Sequence, residues 1–146
     1  MDFELVRLLQ KNARLSNKQL AARVGLAESS TLTRVRRLEE RGVLRGYHAD
    51  VAPWAVGSTL QALIAVRLTR HARDIVDRFR EHCRTLSPVI SAYNIAGTND
   101  YLVHVGVPDV ESLREFILTS ISTRPEVAHI ETHLIFDVVR GPAAGA

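Results

Sequence analysis

The period of the apolar residues changes once along the chain, and that change limits the folds open to it. Up to about residue 41 they recur three and four residues apart, as helices require. Beyond Pro53, runs of strand character alternate with helical ones. The chain is therefore read as α+β, with a helical part followed by a mixed part. Of its 146 residues, 46% are apolar, enough for one ordinary domain or two small ones. No apolar run approaches the roughly 20 residues of a membrane span. The acidic start, Met1-Asp2-Phe3-Glu4, lacks the layout of a signal peptide. A single cysteine, Cys83, rules out an intrachain disulfide and a cysteine-rich zinc site. The expected location is cytoplasmic, with no membrane partner.

The helical part has three runs. Residues 2–10 carry Leu5, Leu8 and Leu9 on one side. The second run opens at Ser16 with Gln19 three residues on, the pattern of a capping box, and continues through Leu20 and Val24 to a break at Gly25. The third, from about Glu28 to Arg41, is expected to bury Leu32, Val35 and Leu38, with Gly42 at its C-terminal end. Residues 43–51 follow as a short hairpin or an extended wing turning at Gly46. The first domain is expected over 1–52 and a linker over 53–59, punctuated by Pro53 and Gly57.

The second domain is expected over 60–140, with a tail at 141–146. Strands are read at 60–69, 89–96, 101–107 and 127–139, and helices at 73–86 and from Asp109 onward. In the last strand Ile130, Thr132, Leu134, Phe136 and Val138 alternate onto one face. The order βαββαβ is that of a ferredoxin-like unit, an antiparallel sheet with both helices on one face. Its other face is expected to be covered by a second copy of the chain.

Charge separates the two parts. Residues 1–53 hold ten Lys and Arg against six Asp and Glu, and residues 54–146 hold nine against ten. The basic excess lies beside a helix-turn-helix pattern, NKQLAARVGLAESSTLTRVR, with small Ala21 at the helix approach and Gly25 at the turn. With the stripe through Leu32, Val35 and Leu38 inward, Ser29, Ser30, Thr33, Arg34 and Arg37 point mainly outward. Ser29, Ser30 and Thr33 suit base edges or phosphates, and Arg34 suits a guanine edge. Arg36, Arg37 and the wing residue Arg45 suit phosphates. A protein-interaction module with its arginines paired to Glu39 and Glu40 is the plainer alternative.

LAARVGLAESSTLTRVRRLEERGVLRGYHADVAPWAVG resembles the DNA-binding half of the Lrp/AsnC regulators, most specifically in VRRLEERGVLRGYHADV. VISAYNIAGTNDYLVHVGV is similar to the effector domain of that family, and VAHIETHLIFDVV to its closing strand. The resemblance implies a winged helix-turn-helix joined to a βαββαβ domain. It also implies dimers that assemble into tetramers or octamers on double-stranded DNA, and a small-molecule effector, usually an amino acid, between effector domains. Carried over by position, Gly97, Thr98, Asn99, Asp100 and Tyr101 form the effector turn, and Thr132 on the closing strand completes the pocket. Backbone amides near Gly97 suit a carboxylate, and Asp100 suits an ammonium group. From the residues alone, the same turn also reads as a tight hairpin whose aspartate caps its own backbone. The sequence departs from the family at Ala27-Glu28-Ser29-Ser30, which lacks the usual cap and prolines. Asp2 already falls within the first helix of the family pattern.

No cofactor other than an effector is implied, and the reading is not enzymatic. His129 and His133 are four apart on a strand, about 13 Å, too far to share one ion. Cys83 lies on an apolar helical stripe and reads as a packed thiol. Two alternatives remain. One is a ligand-binding protein whose helix-turn-helix no longer binds DNA. The other is an enzyme like the sirohaem decarboxylases, which resemble this family, with His129, His133 and Arg140 as the nearest groups for a tetrapyrrole.

Overall fold

The computed structural model describes residues 1–141, so five of the six expected tail residues lie outside the described residues. The chain forms two compact units. One is Met1–Asp50 with the described residues 139–141, and the other is Val51–Val138. Among the described residues no helix is long and apolar enough to cross a membrane.

In the first unit, α1 (Asp2–Lys11), α2 (Asn17–Val24) and α3 (Glu28–Glu40) enclose Leu5, Leu9, Leu20 and Leu38. The Ser16 hydroxyl accepts the Gln19 N–H at 3.2 Å, and the Gln19 amide oxygen accepts the Ser16 N–H at 2.9 Å, so the capping box is complete. Ser16→Ala removes an acceptor that satisfies one of the four free donors at the start of α2. It is expected to cost about 1 kcal/mol, read as a lower denaturation midpoint. An unchanged midpoint would show that water replaces the hydroxyl without loss. Gly25 ends α2 at φ +68°, in the left-handed region, with its side open.

The third helix buries a different stripe from the expected one. Thr31 is fully buried with Leu38, Val35 is half-buried, and Leu32 is 39% exposed. Thr31, Val35 and Leu38 follow the i, i+4, i+7 series, and Leu32 sits about 100° round the helix from Thr31. Burial of the Thr31 hydroxyl is tolerated because it donates to the Ala27 carbonyl one turn back at 3.1 Å. No side chain caps α3 at Ala27, but the Asn17 amide donates to the Glu28 carbonyl at 2.7 Å and ties α2 to the start of α3.

Residues 43–51 form no strand, so of the two expected wing forms the hairpin is not made. An isolated two-stranded ribbon is marginal without a third strand or a packed face. The segment is instead held by Leu44, which packs on the helical core, and by the Tyr47 hydroxyl, which donates to Glu39 at 2.7 Å. Partial burial, the Glu39 hydrogen bond and its charge push the Tyr47 phenol up to about 12.

In the second unit, β1 (Leu60–Leu68), β2 (Val89–Asn94), β3 (Tyr101–Val107) and β4 (Val127–Ile135) form an antiparallel sheet in the order β2-β3-β1-β4. Ala62, Ile64, Val66 and Leu68 of β1 share one face with Tyr101, Val103, Val105 and Val107 of β3. Both α4 (Arg73–Thr85) and α5 (Val110–Phe116) pack there through Ile75, Phe79, Cys83, Leu113 and Phe116. The opposite face carries Leu63, Ala65 and Leu102 among Gln61, His104, His129, Glu131 and His133. His104, hydrogen-bonded to Gln61 at 2.7 Å, has its pKa lowered by burial.

Three element bounds differ from expectation. The 89–96 strand ends at Asn94, where the chain turns. The helix after Asp109 is α-helical to Phe116 and closes in a π-helical turn, Ile117–Ile121. The last strand ends at Ile135, whose partner Gln61 is the second residue of β1. Beyond it Phe136 is 98% exposed, and neither Phe136 nor Val138 continues the alternation.

Candidate nucleic-acid face and ligand turn

The outward side of α3 is built by its phase. With Thr31, Val35 and Leu38 inward, Ser29, Thr33 and Arg36 lie opposite the core, and Ser30 and Arg37 lie on one flank. All five are exposed, as is Arg45 beyond the helix. Ser29, Ser30, Thr33, Arg34 and Arg37 together line a shallow depression along α3. The Thr33 hydroxyl donates to the Ser29 carbonyl at 3.0 Å, so towards a ligand its oxygen acts as an acceptor.

Arg34 differs from its neighbours. It is half-buried, and its guanidinium bonds Asp2 of α1 at 2.8 Å. A guanidinium held by a carboxylate is oriented, and it must share or exchange that partner to reach a guanine edge. Two surface features were not legible in the sequence. Leu32 adds an exposed apolar group on the far flank from Arg37, and Arg41 adds a cation at the end of α3. Only the helix phase reveals Leu32, because apolar periodicity assigns it to the core.

In the second unit, the 97–101 turn joins β2 to β3. It is closed by the Ile95 N–H and the Asn94 side-chain amide, each donating to the Asp100 carbonyl at 2.9 Å. Gly97 takes φ +117°, which a side chain would strain. Gly97 and Thr98 are exposed and Asn99 half-exposed. Among the described residues no acceptor is bonded to the backbone N–H groups of Gly97, Thr98 or Asn99.

Asp100 and Tyr101 face inward from the same turn. Tyr101 is 1% exposed, lies 5.0 Å from the Phe79 ring, and donates its hydroxyl to the Val76 carbonyl at 3.2 Å. Burial raises its pKa. The Asp100 side chain is 7% exposed and both its oxygens are engaged. Oδ2 accepts the Leu68 N–H at 2.7 Å, and Oδ1 lies 2.6 Å from Nδ1 of His71. Asp100 thus secures the end of β1 to the start of β3.

Thr132 is exposed on β4, opposite Ile64, while Val103 pairs with Ile64 from the other side. Two strand spacings, about 10 Å, therefore separate Thr132 from the β3 row, and one protomer does not bring it to the turn. His129 and His133 each lie beside Glu131, at 3.6 and 3.7 Å, and Arg140 pairs with Asp50. Carboxylates beside these basic groups oppose a polyanionic tetrapyrrole. Burial pushes the Cys83 thiol up to about 11, which leaves little thiolate near neutral pH.

Comparison with known proteins agrees with the fold of both units. Residues 1–45 match the family described as winged helix-turn-helix DNA-binding, and residues 61–142 match the Lrp/AsnC ligand binding domain. The chain is 41% identical to the HTH-type transcriptional regulator AldR of Mycolicibacterium smegmatis over 97% of its length and 82% of that protein. It is 31% identical to the leucine-responsive regulatory protein of Escherichia coli, over 96% of its length and 85% of that protein. A Neisseria meningitidis transcriptional regulator solved as its L-Met complex superposes with a TM-score of 0.86 at 30% identity, covering 97% of this chain and 92% of that one.

Proposed function

Because the chain belongs to the Lrp/AsnC family of DNA-binding transcriptional regulators with a ligand-binding domain, we propose that its ligand is an amino acid, that the ligand binds at the 97–101 turn, and that binding changes the affinity of α3 for DNA. The observation that carries the reading is the set of free N–H groups at Gly97, Thr98 and Asn99, on a turn anchored by two buried side chains. Backbone amides left without an acceptor suit a carboxylate. The Neisseria relative, solved with L-Met, supports an amino acid as the class of ligand.

On DNA, Ser29, Ser30 and Thr33 read base edges, Arg36, Arg37 and Arg45 hold phosphates, and Arg34 reaches a base by exchanging Asp2 for it. A second copy covers the sheet face that carries Leu63, Ala65 and Leu102, and pairs two recognition helices on a palindromic site. Dimers then assemble further, so that Thr132 of one protomer completes a pocket with another. The protein carries out no reaction, and its place is the cytoplasm, where DNA and free amino acids meet.

The test is fluorescence anisotropy on the upstream DNA of its own gene, with each proteinogenic L-amino acid added in turn. At least one is expected to shift the dissociation constant by fivefold or more, the low end of allosteric coupling at about 1 kcal/mol. Gly97→Pro, which removes one of the free N–H groups and cannot adopt φ +117°, is expected to abolish that shift while leaving DNA affinity in its absence unchanged. No shift with any amino acid would refute the reading.

A further inference from the structure

We propose that His71 belongs to the ligand site as the group that meets the carboxylate of the effector, and that Asp100 serves as its positioning residue. The proposal rests on the reading of the 97–101 turn as the effector site.

The argument starts from Asp100. Its carboxylate has one oxygen on the Leu68 N–H and the other on Nδ1 of His71, and the side chain is 93% removed from solvent. An ammonium group from a ligand would have to displace His71 to reach Oδ1. The imidazole is placed differently. It stands on the short loop between β1 and α4, its side chain is 75% exposed, and its Nε2 is left to solvent. A histidine held at one nitrogen by a buried carboxylate has its ring plane and its proton fixed, and it presents the other nitrogen to whatever lies outside.

The sign of the interaction depends on protonation. With the ring neutral and Nδ1–H directed at Asp100, Nε2 offers a lone pair, which repels a carboxylate. With the ring protonated, Nε2–H donates a charge-assisted hydrogen bond. The charged groups nearest His71 in sequence are Arg67 of β1, Arg70 on the loop, and Arg73 and Asp74 in the first turn of α4, which carries His82 near its far end. Arg73 lies 3.8 Å from Asp77, and Asp74 lies 4.0 Å from Arg78. The window between about pH 6 and pH 8 is where an imidazole exchanges its proton.

The experiment is isothermal titration of the full chain with each proteinogenic L-amino acid at about pH 6 and about pH 8, repeated with the α-carboxamide of the tightest binder. The acid is expected to bind about tenfold tighter at the lower pH, the worth of one charge-assisted hydrogen bond. The carboxamide should show no such gain. His71→Ala is expected to lose the tenfold gain for the acid. Should His71→Ala fail to fold, the acid and carboxamide pH profiles of the unaltered chain decide alone. Equal profiles for the two, or an unchanged gain in His71→Ala, would remove His71 from the site and leave the turn in place. If no amino acid binds at either pH, the turn itself is not the effector site and both readings fall.

Discussion

Phe79→Ala is expected to destabilise the second unit by about 3–5 kcal/mol, a large share of the stability of an ordinary domain. Phe79 is fully buried at the centre of the sheet-and-helix core and packs at 5.0 Å against Tyr101 with the rings tilted by 54°. Truncation removes the transfer free energy of the ring, leaves a cavity, and breaks an aromatic pair that adds about 1 kcal/mol of its own. Tyr101 directly follows Asp100, so the 97–101 turn loses the anchor beneath it. Denaturant unfolding followed by circular dichroism should show the lower midpoint and a loss of amino-acid binding at temperatures where the chain is still folded. A loss below about 1 kcal/mol would mean that the core closes over the gap.

Replacing Arg36 and Arg37 together by alanine is expected to have the largest effect on DNA binding. Each phosphate contact contributes close to 0.9 to the slope of affinity against salt, so the double variant should flatten it by nearly 2. Affinity should fall for operator and random DNA alike, because phosphate contacts position the protein and carry no sequence information. Single alanines at Ser29 or Thr33 should instead narrow the gap between operator and random DNA by about 1–3 kcal/mol per lost base contact. A double variant that kept the full salt slope would move the phosphate contacts elsewhere, with Arg41 and Arg45 as the exposed cations nearest in sequence.

The sequence carries local rules well and long-range ones poorly, and particular residues show where the line falls. Ser16 with Gln19 and the left-handed Gly25 are dictated within a few residues of chain, and both are found where expected. The strand read at 60–69 is found as β1, an aliphatic run apolar on both faces from Ala62 to Val66, and β3 is found over the residues read for it, with one face on the core. Thr31 falls outside the apolar stripe read from the sequence because its hydroxyl is polar. Its burial depends on a carbonyl one turn back, which apolar periodicity does not count. The same rule in reverse places Leu32 in the core, where the structure leaves it 39% exposed. Beyond Ile135 the pattern continues while the pairing stops, one residue short of the end of β1, where Leu60 pairs with Val107 of β3 alone. At the turn, Gly97 and Asp100 are visible as residue types. The bond from Leu68 to Asp100 spans 32 positions, and nothing local in the sequence connects His71 to Asp100.

The central claim is that α3 reads a specific DNA site through Ser29, Ser30 and Thr33, with Arg36 and Arg37 holding the phosphates. Its most direct test is anisotropy on the upstream DNA of its own gene against random DNA of equal length, at two salt concentrations. The account predicts binding that weakens steeply with salt and favours the upstream DNA by a thousandfold or more, about 4 kcal/mol. Equal and weak binding to both DNAs, or no binding at the lower salt, would contradict it.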